Sequence, residues 1–234
     1  MDRFIATAKV GNTLIIEGEE LRHIFAKRVK IGQELELFFE DKLYLCLLEK
    51  LTKKSALCIV IKELELTAPL PLTTLYQCVP VELRTMDFIV EKVSEVGASR
   101  LVPTLSKRSF QDIPTINKRM ERWKRVALSA FKQCKRPKPL EIGPPTRLEE
   151  LRANCDLNLL LDNFEGEKSP KDLNLNGVKA VSLVVGPEGG FTRQESELLR
   201  KRGFIPIKLY PYILRSETAA LLGVGLIMNL STPS

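Results

Sequence analysis

The stretch from residue 178 to residue 203 constrains the fold most. Val178 to Val185 is dominated by apolar and β-branched residues, the pattern of a strand buried on both faces. Gly186-Pro187-Glu188-Gly189-Gly190-Phe191 then breaks the run. Thr192 and Glu195 have the spacing of a capping box, and Gly203 stands where a helix-ending glycine belongs. Strand, glycine loop and helix in that order place the loop at the carboxyl end of a parallel strand, where open α/β sheets bind ligands. The same rhythm begins at residue 72. Leu72 to Val79 reads as a strand, and Met86, Ile89, Val90, Val93 and Val96 recur at helical spacing up to Gly97. Strands follow at Arg100 to Thr104, Asp156 to Leu161 and Ile205 to Leu209. Helices are expected from about Asn117 to Lys135, from Thr192 to Arg202 and from Ser216 to Asn229. This alternation predicts a mostly parallel sheet with helices on both faces.

Residues 1–68 have a different texture. Leu35 to Phe39, Leu43 to Leu48 and Ala56 to Leu66 are short apolar runs separated by polar turns at Glu40-Asp41-Lys42 and Thr52 to Ser55. One short helix, Glu19 to about Ala26, interrupts them. Regularly spaced short strands indicate a small β-barrel or sandwich. Two prolines in Pro69-Leu70-Pro71 stop both helix and ladder, so the boundary is placed there. The expected domains are a β-barrel over 1–68 and an α/β domain over 72–234.

Several function classes drop out. The five cysteines show no C-x-x-C spacing and His23 is the single histidine, so neither a disulfide framework, a zinc knuckle nor a His-based metal site is indicated. The start of the chain lacks a signal-peptide pattern. The apolar stretch Ala219 to Met228 falls well short of the roughly 20 residues that span a bilayer. A soluble cytoplasmic protein is expected, with no metal and no membrane partner. The net charge is +7, and the segment from Lys118 to Lys138 carries +8 of it, nine basic residues against Glu121. A concentrated basic stripe with Trp123 interleaved suggests a polyanionic partner, nucleic acid first; the alternative is a solvated helix face. Arg22, Lys27, Arg28 and Lys30 form a second cluster.

The glycine loop excludes the common nucleotide cradles. No Gly-Lys-Ser/Thr follows it, and glycines at 186, 189 and 190 do not fit G-x-G-x-x-G. Glu188 inside the loop, with no lysine to offset it, would repel a di- or triphosphate. A phosphate-free, positively charged cofactor suits it better, and S-adenosylmethionine meets that description. The alternative is a tight turn that needs glycine only for its backbone. Downstream, Ser216 or Thr218 can cap the last helix, and Arg215 just before it is expected to stand exposed beside the glycine loop. Small residues at Ala219, Ala220, Gly223 and Gly225 allow close approach, in the core or at a subunit interface.

At Gly186 to Phe191 and at Ile213-Leu214-Arg215-Ser216-Glu217-Thr218-Ala219, the chain resembles the SPOUT class of RNA methyltransferases, and within it the bacterial 16S ribosomal RNA uridine-N3 methyltransferase family (RsmE type). Met86 to Gly97, Lys107-Arg108-Ser109, Arg122-Trp123 and Gln133 to Arg136 are also similar to that family. The resemblance implies a PUA-like N-terminal barrel that binds RNA, a C-terminal α/β domain with a deep trefoil knot, and a homodimer acting on 16S rRNA of the small subunit. It implies S-adenosylmethionine held by Leu160 and Leu161, by Gly186, Pro187, Glu188 and Gly189, and by Leu209, Ile213, Leu214, Ser216 and Thr218. RNA contacts are expected from Arg22, Arg28, Lys30, Arg108, Arg122, Arg125, Gln133 and Arg136. Arg215 and Glu217 are the expected catalytic residues, the first stabilising anionic charge on the base, the second taking the N3 proton; Glu188 is the other candidate acceptor. The chain departs from the family pattern at Tyr210, Tyr212 and Lys132, and a basic residue near Glu82 is missing. Three other readings stay open: a non-catalytic RNA-binding relative, a methyltransferase with another RNA target, and a nucleotide-dependent α/β enzyme.

Overall fold

The computed structural model describes residues 1–162, 168–209 and 212–231. The chain divides into two compact units, Met1–Thr67 and Ala68–Ser234.

The first unit holds β1 (Arg3–Ile5), β2 (Ala8–Val10), β3 (Thr13–Ile16), α1 (Gly18–Ala26), β4 (Glu34–Phe39), β5 (Lys42–Leu51) and β6 (Ala56–Leu64). The strands pair in the order β1-β4-β5-β6-β3-β2. β1 and β2 lie at opposite ends of that order, yet only Ala6 and Thr7 separate them in sequence. Three residue steps reach at most about 10 Å, so the sheet must roll until its edges nearly meet. That closure makes it a barrel, and the PUA-like fold expected of residues 1–68 is what forms. Register shifts in the β5–β6 pair, at Leu45/Cys46 and Leu48/Lys50, supply bending. The β4–β5 hairpin turns on Glu40 and Asp41, both at positive φ (46° and 60°), the turn whose twist matches that of the strands. Alternate residues such as Leu14, Ile16, Leu35, Leu37, Cys46 and Leu48 fill the interior, joined by Leu21 and Ile24 of α1.

The second unit contains β7 (Leu72–Cys78), α2 (Leu83–Glu95), β8 (Arg100–Leu105), α3 (Ile113–Cys134), β9 (Glu141–Ile142), β10 (Thr146–Arg147), β11 (Leu157–Leu161), β12 (Ala180–Val185), α4 (Arg193–Lys201), β13 (Ile205–Ile207) and α5 (Ser216–Leu230). Every described strand pairing is parallel, in the order β10-β8-β7-β12-β11-β13, with β9 beside β8. Both faces are covered, and the two-residue period of the strands sorts their side chains. Leu159, Val181, Leu183 and Val185 join the core under α2, α3 and α5. Leu160 and Val184 point the other way, toward Phe191, Leu199 and Phe204.

Two details differ from the sequence expectations, and a third follows one of the two readings given for the small residues of α5. Helix α3 begins at Ile113, four residues early, because Pro114 is tolerated in a first helical turn. Trp123 is fully buried in the core, not interleaved with the basic surface. Gly223 serves packing inside the chain: a Cβ there would lie 2.8 Å from Leu183 Cδ2 and 3.1 Å from Leu161 Cδ1. The close approach that small residues permit is therefore made at this position to β11 and β12 of the same chain.

Candidate active site

The carboxyl ends of β11, β12 and β13 and the start of α5 enclose a pocket of about 160 Å³, open to solvent. It forms at the end of β12, whose neighbours are β7 on one side and β11 on the other, with β13 beyond. Leu161 ends β11 and Asp162 follows it, the glycine loop follows β12, Ile207 ends β13 with Leu209 two residues beyond, and Ile213, Leu214, Ser216 and Ala219 come from the segment into α5 and its first turn.

The glycines of the loop answer packing more than backbone strain. Only Gly190 has positive φ (+66°), and its N–H closes a turn on Pro187 O at 2.9 Å. A Cβ on Gly186 would press on Phe191 at 3.2 Å, and one on Gly189 on Arg108 Cδ at 3.2 Å. The expected capping box forms: Glu195 N donates to Thr192 Oγ1, and Thr192 N donates to Glu195 Oε2 at 2.8 Å. The buried Glu195 carboxylate also accepts from Lys107 N at 2.7 Å, tying the loop after β8 to α4.

Glu188 lines the pocket while its Oε2 accepts from Val81 N at 3.1 Å. Asp162, 5% exposed, accepts from the Ser196 hydroxyl. These two carboxylates are the ionisable side chains among the described lining residues, and no lysine or arginine is among those. The rest of the described lining is backbone, small residues, aliphatic side chains and the ring of Phe191. Such a wall suits a cation with an apolar body and disfavours phosphate, so the donor set fits S-adenosylmethionine and not a nucleotide polyphosphate. Among the described residues, no group of His, Cys, Asp and Glu could hold a metal ion, and no helix is long and apolar enough to cross a membrane.

Of the residues expected at the cofactor, Leu161, Gly186, Pro187, Glu188, Gly189, Leu209, Ile213, Leu214 and Ser216 line the pocket. Leu160 does not, because strand alternation turns it into the opposite core. Thr218 does not either; it is exposed on α5. Neither Ser216 nor Thr218 caps that helix. Arg215 is the N-cap residue without a side-chain cap, and the Ser216 hydroxyl instead donates to Gly186 O at 2.5 Å. Arg215 is exposed, between Leu214 and Ser216 in the chain, and its guanidinium bonds to no described residue. Glu217 is half-buried in the first turn of α5. Tyr210 lies outside the described residues, whereas Tyr212 is 78% exposed.

The expected RNA contacts divide. Arg22, Arg28, Lys30, Arg125 and Gln133 are exposed. Arg122 is exposed but pairs with Asp87 at 2.7 Å. Arg108 donates to Gly189 O at 2.6 Å, bracing the glycine loop. Arg136 is a fold residue: it donates to Ser94 O at 2.8 Å and Ala98 O at 2.5 Å, and burial lowers its pKa. Gln77, absent from the residues expected at the site, is fully buried in β7 and bonded to Ser216 Oγ at 2.9 Å. A glutamine inside an apolar strand was its one visible signal.

Residues 68–228 match the model of an RNA methyltransferase domain, and residues 16–61 that of an RNA methyltransferase PUA domain. The chain is 42% identical to ribosomal RNA small subunit methyltransferase E of Aquifex aeolicus, over 98% of this chain and all of that one. Among solved structures it resembles ribosomal RNA small subunit methyltransferase E of Neisseria gonorrhoeae bound to S-adenosylmethionine (28% identity, TM-score 0.86, 98% of each chain). A protein of Legionella pneumophila, solved with the same cofactor, is similar too (26%, TM-score 0.85, 97% of each chain).

Proposed function

The chain belongs to the RNA methyltransferase family and is an S-adenosylmethionine-dependent rRNA methyltransferase; from that premise we propose that its acceptor is N3 of a uridine in 16S rRNA of the small ribosomal subunit. The observation that carries the reading is the pocket itself: among the described residues its lining holds two carboxylates and no cation, beside an exposed arginine with no partner among them. When bound, S-adenosylmethionine supplies an electrophilic methyl group on a sulfonium. Asp162 and Glu188 provide the negative surroundings that such a cation prefers.

The protein's own task is to make N3 nucleophilic. Loss of the N3 proton leaves an anion shared over O2 and O4 of the base. Arg215, between the pocket-lining Leu214 and Ser216 in the chain, stabilises that charge as an oxyanion donor does. Glu217 takes the proton. Glu188 ranks behind it because one of its oxygens is committed to the Val81 amide. The exposed cations of α3, Lys118 and Arg125 among them, and those of the barrel, Arg22, Arg28 and Lys30, bind phosphates. Strand order supports the trefoil knot: from the edge strand β13 the chain returns past β11 to pack α5 on β12 and β7. Homodimerisation falls to the outer face of α5, where Leu222 is 38% exposed and, with Leu226 and Leu209, lines a second groove. The compartment is the cytoplasm.

The deciding assay offers small subunits, naked rRNA and free uridine as methyl acceptors and locates the methyl by mass spectrometry. Transfer to a uridine base at N3 of the rRNA is the expected result. A product on the ribose or on another base overturns the N3 assignment. Tight binding of NAD or ATP, with none of S-adenosylmethionine, overturns the methyltransferase reading.

A further inference from the structure

We propose that Gln77 is a positioning residue of the cofactor pocket, which acts through the Ser216 hydroxyl to hold the start of α5 against the glycine loop. The proposal rests on reading the pocket as the S-adenosylmethionine site.

Gln77 sits near the end of β7, directly opposite Val185, the last residue of β12 before the glycine loop. Its side chain is fully buried. Nε2 donates to Ser216 Oγ at 2.9 Å and to Cys78 O at 2.9 Å. The Ser216 hydroxyl in turn donates to Gly186 O at 2.5 Å. A hydroxyl has one proton to give. Because that proton is spent on Gly186 O, the hydroxyl must accept from Gln77, so the relay runs one way, from amide to hydroxyl to carbonyl. The same logic orients the amide. Cys78 O can only accept, so the nitrogen faces it and the carbonyl oxygen faces away. That oxygen, Oε1, is buried without a partner among the described residues.

A buried unpaired acceptor is costly. As a filler of the sheet, a glutamine in this state is inferior to leucine or methionine. What its amide achieves is the joining of two pocket walls that are far apart in sequence. Ser216 and Gly186 both line the pocket, as does Leu214 two residues before Ser216. Ser216 is the first residue of α5, behind the N-cap Arg215, so its hydroxyl makes this link rather than a cap. A buried glutamine kept where an apolar side chain would pack better, and bonded to the start of α5, points to a role in holding the site.

The test uses the full-length protein with Gln77→Met, Ser216→Ala, the double variant and Ser216→Thr. Calorimetry measures affinity for S-adenosylmethionine, and kinetics give separate KM values for cofactor and rRNA. Each of the first two changes is expected to weaken cofactor binding about tenfold, the scale of a lost hydrogen bond. The double variant should lose no more than either single one, since both cut the same relay. Ser216→Thr, which keeps the hydroxyl, should stay within about threefold of the unaltered protein. The loss should fall on KM for the cofactor, with KM for rRNA within about twofold; a general structural lesion would move both. Should Gln77→Met fail to fold, Gln77→Leu takes its place, since Ser216 itself lines the pocket and Ser216→Ala alone does not isolate the relay. Full cofactor affinity in Ser216→Ala, or additive losses in the double variant, overturns this inference and leaves the proposed function standing. Failure of the unaltered protein to bind S-adenosylmethionine overturns both.

Discussion

Gly223 and Gly225 stand two residues apart in α5, and their surroundings dictate opposite responses to alanine. At Gly223 the new methyl would lie 2.8 Å from Leu183 Cδ2 and 3.1 Å from Leu161 Cδ1. Ordinary carbon contacts are about 3.5–4.0 Å, so Leu183 would have to retreat by about 0.7 Å or more. Leu183 is fully buried in the core of the sheet, so that retreat would press on its neighbours. Overpacking of this kind costs about 1–3 kcal/mol, and replacing a helical glycine by alanine returns about 1 kcal/mol. The net expectation for Gly223→Ala is a loss of about 1 kcal/mol, a fall of about 2–4 °C in Tm for a chain of this size. Leu161 also lines the pocket, so affinity for S-adenosylmethionine should fall as well. At Gly225 the nearest neighbour of a new Cβ is Val96 Cβ at 4.0 Å, an ordinary contact. Gly225→Ala should therefore gain about 0.5–1 kcal/mol. Thermal and urea melts of both variants measure the difference, and a shift of the same sign in the two refutes the reasoning.

Other outcomes separate surface arginines from fold arginines. Arg125→Ala should lower rRNA affinity and flatten the slope of log affinity against log salt by about 0.7–0.9, with stability unchanged. Arg136→Ala should cost about 1.5–3 kcal/mol of stability, the scale of a hydrogen bond from a charged donor, and leave that slope alone; salt titrations beside urea melts read both. Arg215→Ala should slow methyl transfer by about 10²–10³ while rRNA affinity stays within about twofold, as when one oxyanion donor is lost; single-turnover kinetics and filter binding check it. Burial pushes the Cys46, Cys58 and Cys78 thiols up to about 12, so thiol reagents at pH 8 should label only Cys134 and Cys155 in the folded protein. The unfolded thiols titrate near 8.5. The stability these three contribute is therefore whole below about pH 8.5 and is lost as pH rises toward 12, which melts across that range would show.

Periodicity and local chemistry made much of the architecture legible. The alternation beyond residue 72 specified parallel strands because a strand covered on both faces reads as unbroken apolar sequence, and Val181 to Val185 is buried throughout. Thr192 and Glu195 specified the start of α4, since a capping box is closed within four residues and needs nothing from the rest of the chain. The three segments around the pocket were marked too. Loops at the carboxyl ends of parallel strands converge, and a glycine loop with a carboxylate and no lysine already narrows the ligand.

Tertiary structure decided what each polar atom does. Arg108, Arg122 and Arg136 read alike as basic surface, yet one braces Gly189, one pairs with Asp87 and one is drawn inward by the carbonyls of Ser94 and Ala98. Ser216 has the local chemistry of a helix cap, but α5 begins on it, Arg215 takes the N-cap position, and the Ser216 hydroxyl bonds Gly186, 30 residues away. Gln77 lies 139 residues from the hydroxyl it serves. A residue's spacing reveals the apolar face of its own element. The partner a hydrogen-bonding atom meets depends on how distant elements are brought together, and sequence spacing carries no record of that.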